Sequence, residues 1–169
     1  MKRIHILGGP GSGKTALASR LAQALGSESI TLDAITYEDP LFTLPRTRTS
    51  RIELVRDYVG RDSWVAEGVY FSWVGQSFKH ADRIVVLNLP KSERDRNIRS
   101  KLNDRFPEGA VNEQYVVQLA RLLKSNEEYD SLFKQRIHGF IAPHAAKTDI
   151  CNSTAEAVER ILMPSDSKG

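Results

Sequence analysis

The chain has 169 residues, 40% hydrophobic and 27% charged, with 24 Lys and Arg against 21 Asp and Glu for a net charge of +3. That length and composition suit one domain with its own core, and the single cysteine, Cys151, excludes an intramolecular disulfide. No apolar run approaches the roughly 18 residues that a membrane helix needs, and so small a positive charge gives only weak support to nucleic-acid binding.

The N-terminal stretch does not read as a secretion signal, because Lys2 and Arg3 precede a short apolar run that Gly8 and Gly9 break. A lone cysteine is read as a small buried apolar residue, and a reducing cytoplasm is the expected compartment. "RIHILG" predicts a first strand. "KTALASRLAQALG" predicts a helix, with Leu17, Leu21 and Leu25 on one stripe and Gly26 placed to stop it. "SITLD" predicts a second strand ending at Asp33, and "AITYEDPLFTLPRTRTS" a loop region. "RIELVRDYVGR" has Ile52, Val55 and Val59 at helical spacing. "SWVAEGVY" predicts a third strand closing near Glu67 and Gly68. "RIVVLNLP" predicts a fourth, its continuous apolar run suited to burial on both faces.

Residues 91–103 predict a very polar helix with only Ile98 and Leu102 apolar. "NEQYVVQLARLLKS" places Val116, Ala120 and Leu123 on one face, and "NEEYDSLFKQRIHGF" continues in the same style. "KTDIC" predicts a last strand and "TAEAVERIL" a final helix with Thr154 near its start. Residues 164–169 are expected to be a frayed tail. No internal repeat is evident.

Strands alternating with helices predict an α/β fold with a five-stranded parallel sheet and helices on both faces, as a single domain over residues 1–163. Ligands of such sheets bind beyond the carboxyl ends of the strands. That rule brings the glycine-rich turn, Asp33, Glu67 and the segment after Pro90 to one edge.

The turn "GGPGSGKT" satisfies G-x-x-x-x-G-K-[ST] directly after a strand and at the opening of a helix. Gly8, Gly9, Gly11, Ser12, Gly13, Lys14 and Thr15 are therefore the candidate phosphate-binding residues. Glycines let successive N–H groups converge on an anion, and the helix adds its free amides and positive end. Lys14 is placed to reach the outer phosphates and the Thr15 hydroxyl to ligate Mg2+. Among nucleotide proteins, GTP switches need a guanine-reading N-K-x-D, which the sequence lacks, and large ATPase machines need more chain. A small kinase remains.

The segments "RIHILGGPGSGKTALASRLA", "SITLDAI", "WVAEGVY" and "ADRIVVLNLP" resemble the adenylate-kinase-like family of small P-loop kinases, nearest to the subset labelled topology modulation proteins. The resemblance runs to about residue 105. It implies a three-layer P-loop NTPase fold with sheet order 2-3-1-4-5 and MgATP as phosphoryl donor. It also implies an acceptor-binding insert at about residues 34–62 and an arginine-bearing lid at about residues 91–110. Nothing in these residues reads DNA. The chain departs from the family at two places. Glu67, Gly68 and Val69 stand where Asp-Gly-Asn is usual, and Asn97 stands where an arginine is usual.

Asp33 is the candidate to orient or deprotonate an acceptor hydroxyl, against the competing reading of a capping aspartate. Glu67 is the candidate to assist the metal, against a paired carboxylate. Arg94, Arg96, Arg99, Lys101 and Arg105 are the lid cations, and Arg94 and Arg99 are taken as catalytic, stabilising charge on the moving phosphoryl group. Arg46, Arg48 and Arg51 could take a phosphate on the acceptor, or be a solvated loop. Tyr37, Phe42, Tyr70, Phe71 and Trp73 read as core or cover more readily than as ligands, and Trp64 as packing. The histidines are scattered, and His5 reads as a satisfied core residue.

The resulting expectation is an ATP-dependent phosphotransferase acting on a small hydroxyl- or phosphate-bearing acceptor such as a nucleoside or nucleotide. The alternative is a nucleotide-binding regulator with little kinase activity, acting through protein or DNA partners.

Overall fold

Ile4 and Ile6 point to one side of the first strand and His5 and Leu7 to the other, as the two-residue period of a strand requires. Both sides are buried, so the strand lies at the centre of a sheet covered on two faces. A computed structural model describes residues 2–39, 43–106 and 113–163. Its strands are β1 (Arg3–Gly8), β2 (Glu28–Thr31), β3 (Trp64–Glu67), β4 (Arg83–Leu87) and β5 (Thr148–Cys151). All pairings are parallel and the order is β2-β3-β1-β4-β5, as the resemblance implies. The register sets Thr31 beside Glu67, Gly8 beside Leu87, and Leu87 beside Cys151. Those residues mark the carboxyl edge.

One face of the sheet is covered by α1 (Lys14–Leu25) and α8 (Thr154–Leu162). Leu17, Ala18, Leu21 and Ala22 of α1 pack there with Ala157, Val158 and Ile161 of α8. Gly26 ends α1 at φ 59°, its N–H and that of Ser27 closing onto the last carbonyls. The other face is covered by α2 (Leu32–Thr36), α3 (Arg48–Val59), α4 (Gly75–His80) and α7 (Lys134–Ile141). Between β4 and β5 the chain also forms α5 (Lys91–Arg105), α6 (Glu113–Glu128), a π-helical turn (Tyr129–Phe133) and, after α7, a 3-10 segment (Ala142–Lys147).

The structure differs from the sequence reading at several points. β2 stops at Thr31, and Asp33 lies in the first turn of α2 rather than at a strand end. Leu32 turns wholly into the core there. α3 begins at Arg48, earlier than expected, because the Thr47 side chain caps it by accepting from the Ser50 N–H at 3.2 Å. α4 went unread, being only six residues long. On α6 the expected inward face is turned outward: Val116 is 55% exposed, whereas Asn126 and the following Tyr129 are buried. Of the expected lid, residues 107–110 lie outside the described residues, as do Phe42 and the tail at 164–169.

His5 is fully buried but only half satisfied. Its Nδ1 lies 2.6 Å from Ser77 Oγ, while Nε2 has no partner among the described residues. Burial brings its pKa down from 6.5 to about 3. The folded chain thus keeps His5 neutral while the unfolded chain protonates it, so its contribution is whole above pH 6.5 and is lost progressively toward pH 3. Urea unfolding should show about 2 kcal/mol less stability at pH 5 than at pH 7 from this group. A His5→Gln variant should lose that component of the pH dependence; an unchanged dependence would contradict the assignment.

Candidate active site

Where β1 leaves the sheet at Gly8, the chain makes a tight turn into α1. Gly11 and Gly13 adopt φ of 75° and 84°, left-handed values that favour glycine. The Ser12 N–H bonds the Gly9 carbonyl at 3.2 Å, closing the turn. Ser12 itself is buried, and its hydroxyl has no partner among the described residues. Gly13 caps α1 without any side-chain hydrogen bond, and no acidic residue occupies the first turn. The amides at the head of α1 are therefore left uncapped by side chains, and the helix end is positive. An anion with several oxygens is the chemical complement of this cradle.

Lys14 folds back over the turn, its Nζ 3.4 Å from the Gly9 carbonyl. Burial lowers its pKa, and the carboxylates of Glu67 and Asp33 oppose that shift. Glu67 is only 2% exposed at the end of β3. Burial raises its pKa, against the pull of Lys14 and of the Thr15 and Thr31 hydroxyls. The Thr15 hydroxyl donates to Glu67 Oε1 at 3.1 Å. Two hard oxygen donors thus meet at the foot of the cradle, one of them a buried carboxylate. These residues fit Mg2+, which takes a few protein oxygens and completes its shell with water and phosphate. Thr15 would ligate the ion, and Glu67 would take it directly or through water.

The register explains the convergence. Glu67 pairs with Ile6 of β1 and Thr31 of β2, so it stands between the glycine turn and the start of α2. Asp33 follows on that helix, half-buried, and accepts a hydrogen bond from the Tyr70 hydroxyl at 2.8 Å on Oδ1.

The cations of α5 sort differently from the sequence reading. Arg94 is not free to act as a lid arginine, because it is 1% exposed and committed within the fold. Its Nε donates to Asn126 Oδ1 at 2.6 Å, and its two terminal nitrogens donate to the Leu89 carbonyl at 2.5 Å and Asp130 Oδ2 at 2.8 Å. The guanidinium also lies 5.0 Å from the centre of the Tyr129 ring. Arg96, Arg99, Lys101 and Arg105 are exposed on α5. Of these, the charge of Lys101 reaches Lys14 and helps lower its pKa, as does that of Arg94.

Asn97, at the position where the resemblance implies an arginine, donates from Nδ2 to the Gly11 carbonyl at 2.9 Å. Gly11 has no room for a side chain, since a Cβ there would collide with the Arg94 carbonyl. The α5 helix is thus a back wall for the glycine turn. Sequence reading missed this role for Asn97, as it missed the Tyr70–Asp33 pair; Tyr70's place three residues past Glu67 was the available signal.

On the acceptor side, Arg46 donates to the carbonyls of Ala34, Ile35 and Tyr37, closing the end of α2. Arg48 donates to the Ser72 carbonyl at 3.2 Å. Arg51 donates to the Arg46 carbonyl at 2.9 Å and lies over Trp73. Phe71 and Trp73 are buried, and Trp64 is wholly so, packing edge-on to Tyr58.

No family model and no curated protein matches the sequence. Among solved structures, a shikimate kinase from Bacteroides thetaiotaomicron is similar at TM-score 0.56 and 15% identity, covering 95% of this chain and 98% of that one. A shikimate kinase from Acinetobacter baumannii in complex with shikimate is similar at TM-score 0.52 and 19% identity, covering 99% of this chain and 97% of that one. At such identities the likeness is one of fold: a three-layer P-loop fold shared with these two shikimate kinases, with the strand order that the resemblance implied.

Proposed function

We propose that the chain is an ATP-dependent phosphotransferase that moves the γ-phosphoryl group of MgATP to a small acceptor. The observation that carries this reading is the convergence of Lys14, Thr15, Glu67 and Asp33 at one sheet edge, around an uncapped helix head. Three of these groups, Lys14, Thr15 and Glu67, suit a polyphosphate and its metal, and the Asp33 carboxylate, half-buried beside them, suits an acceptor hydroxyl.

When bound, MgATP supplies the phosphoryl group and the charge of the metal. The glycine turn and the α1 amides fix the phosphate oxygens, and the Lys14 ammonium meets the negative charge that grows during transfer. Asp33 accepts the hydrogen bond, and then the proton, of the attacking hydroxyl. Lys101, and Arg99 if the end of α5 folds inward, would add positive charge from the lid side. Most of the acceleration would come from positioning and fixed charge, as phosphoryl transfer requires.

Acceptors to be screened are nucleosides, nucleotides, small sugars and, from the structural neighbours, shikimate. In a coupled assay of ADP release, one class should raise turnover at least about tenfold over hydrolysis by water. The cytoplasm is the proposed compartment; no helix among the described residues is long and apolar enough to cross a membrane. One observation favours the second reading, an ATP-binding regulator. At position 97, where an arginine would serve transfer, the side chain is an amide held on the Gly11 carbonyl. Saturable MgATP binding with no acceptor-stimulated ADP release would select that reading and refute the first.

A further inference from the structure

We propose that Tyr70 positions Asp33 for the phosphoryl acceptor and that the pair restricts the acceptor to alcohols. The proposal rests on the phosphotransferase reading and narrows it to one chemical class. It begins at Gly68, directly after β3. A Cβ there would lie 2.8 Å from the Leu32 side chain, so the chain leaves β3 pressed against the start of α2. Two residues later the Tyr70 hydroxyl arrives 2.8 Å from Asp33 Oδ1. The Tyr70 ring lies 5.1 Å from the Trp73 ring, and Trp73 is itself buried and covered by Arg51. Tyr70 therefore has little freedom to turn away.

This arrangement leaves Asp33 Oδ2 with no donor among the described residues. A carboxylate oxygen only accepts, so its complement is a donor, O–H or N–H, and of the two the O–H yields a phosphate ester. A phosphate dianion brings no proton and would face two carboxylates, Asp33 and Glu67, whose neighbouring cation, Lys14, is taken up by the phosphates of ATP in the phosphotransferase reading. The three arginines that could offset that repulsion are hydrogen-bonded to carbonyls: Arg46 to those of α2, Arg48 to Ser72 and Arg51 to Arg46.

The step balances for an alcohol. Its oxygen bonds to the γ-phosphorus as the bond from that phosphorus to the β–γ bridging oxygen breaks. ADP keeps that electron pair, and the hydroxyl proton passes to Asp33 Oδ2 and then to solvent. The products are a phosphate monoester, ADP and a proton.

The test compares the full chain with its Tyr70→Phe variant, which keeps the ring and removes the hydroxyl. MgATP binding to both is measured first, by calorimetry. Glycerol, ribose, myo-inositol, adenosine and AMP are then offered with MgATP, and products are read by phosphorus NMR. A monoester signal is expected, with acceptor-dependent kcat about tenfold lower in Tyr70→Phe and KM for ATP within about twofold of the parent. If no compound accelerates turnover, basal hydrolysis, with water in the alcohol's place, should show the same drop. A phosphoanhydride product, or a Tyr70→Phe chain as fast as the parent, overturns the proposal. Absence of MgATP binding by the parent would instead defeat the phosphotransferase reading, because that binding is read before any acceptor is added.

Discussion

Replacing Lys14 with alanine is expected to lower ADP formation by about two to three orders of magnitude, the usual effect of removing one preorganised group that meets transition-state charge. The physical case lies in the lysine's surroundings. Its ammonium is desolvated enough for its pKa to fall even with two carboxylates nearby. A charge held in that setting acts through a low local dielectric and interacts strongly with phosphate oxygens. The fold should survive the change. The only hydrogen bond of Lys14 Nζ among the described residues is the 3.4 Å contact to the Gly9 carbonyl, and its stem belongs to neither core cluster. Circular dichroism melting should therefore stay near the parent value while turnover collapses. A Lys14→Ala chain with parental turnover would remove the cradle from the mechanism.

Replacing Arg94 with alanine is expected to act in the opposite manner, on stability before activity. The guanidinium is 1% exposed and joins four groups: Asn126, the Leu89 carbonyl, Asp130 and the Tyr129 ring. Removing it leaves a buried amide oxygen and a carbonyl without a donor. Leaving those two buried groups unsatisfied costs about 1–3 kcal/mol each, a large share of the roughly 5–15 kcal/mol that holds a domain together. Urea unfolding measures the loss. Asp130→Asn keeps an oxygen to accept from the guanidinium but removes the charge that balances it, so it should also destabilise, by less than Arg94→Ala. The contrast separates the hub's hydrogen bonds to neutral groups from its ion pair. An Arg94→Ala chain within 1 kcal/mol of the parent would show that the network contributes little.

Arg94 also shows where the sequence stopped being readable. The glycine turn, the strands and the α1 stripe were legible because each depends on neighbours in sequence. A strand followed by G-x-x-x-x-G-K-T and leucines at helical spacing specify their own local geometry. Arginine on a polar helix reads as solvated, since charged side chains are seldom buried unless paired. The groups that make burial tolerable, Asn126 and Asp130, lie 32 and 36 residues further on. Spacing on α5 could show that Arg94, Ile98 and Lys101 share a side, but not which neighbour covers it.

The same limit accounts for α6. Apolar spacing pointed to the face through Val116, but the hydrogen bonds of Asn126 with Arg94 and Asp95 of α5 turn the side carrying that polar residue inward. Asp33 failed in a different way. Its position near the carboxyl edge was readable, but the turn from strand to helix at Leu32 takes place in a close approach to Gly68, 36 residues further on. The cation census changed for a similar reason. Arg46 looked available for an acceptor phosphate until the carbonyls at the end of α2 came within its reach.

In the proposed function the turn from Gly8 to Thr15 grips a polyphosphate with its metal. Calorimetric titration of the full chain with a non-hydrolysable ATP analogue and magnesium tests it most directly. The account predicts saturable heat at one site per chain, abolished by Lys14→Ala and sharply weakened when magnesium is chelated. No heat from the parent chain, or undiminished heat from Lys14→Ala, would contradict it.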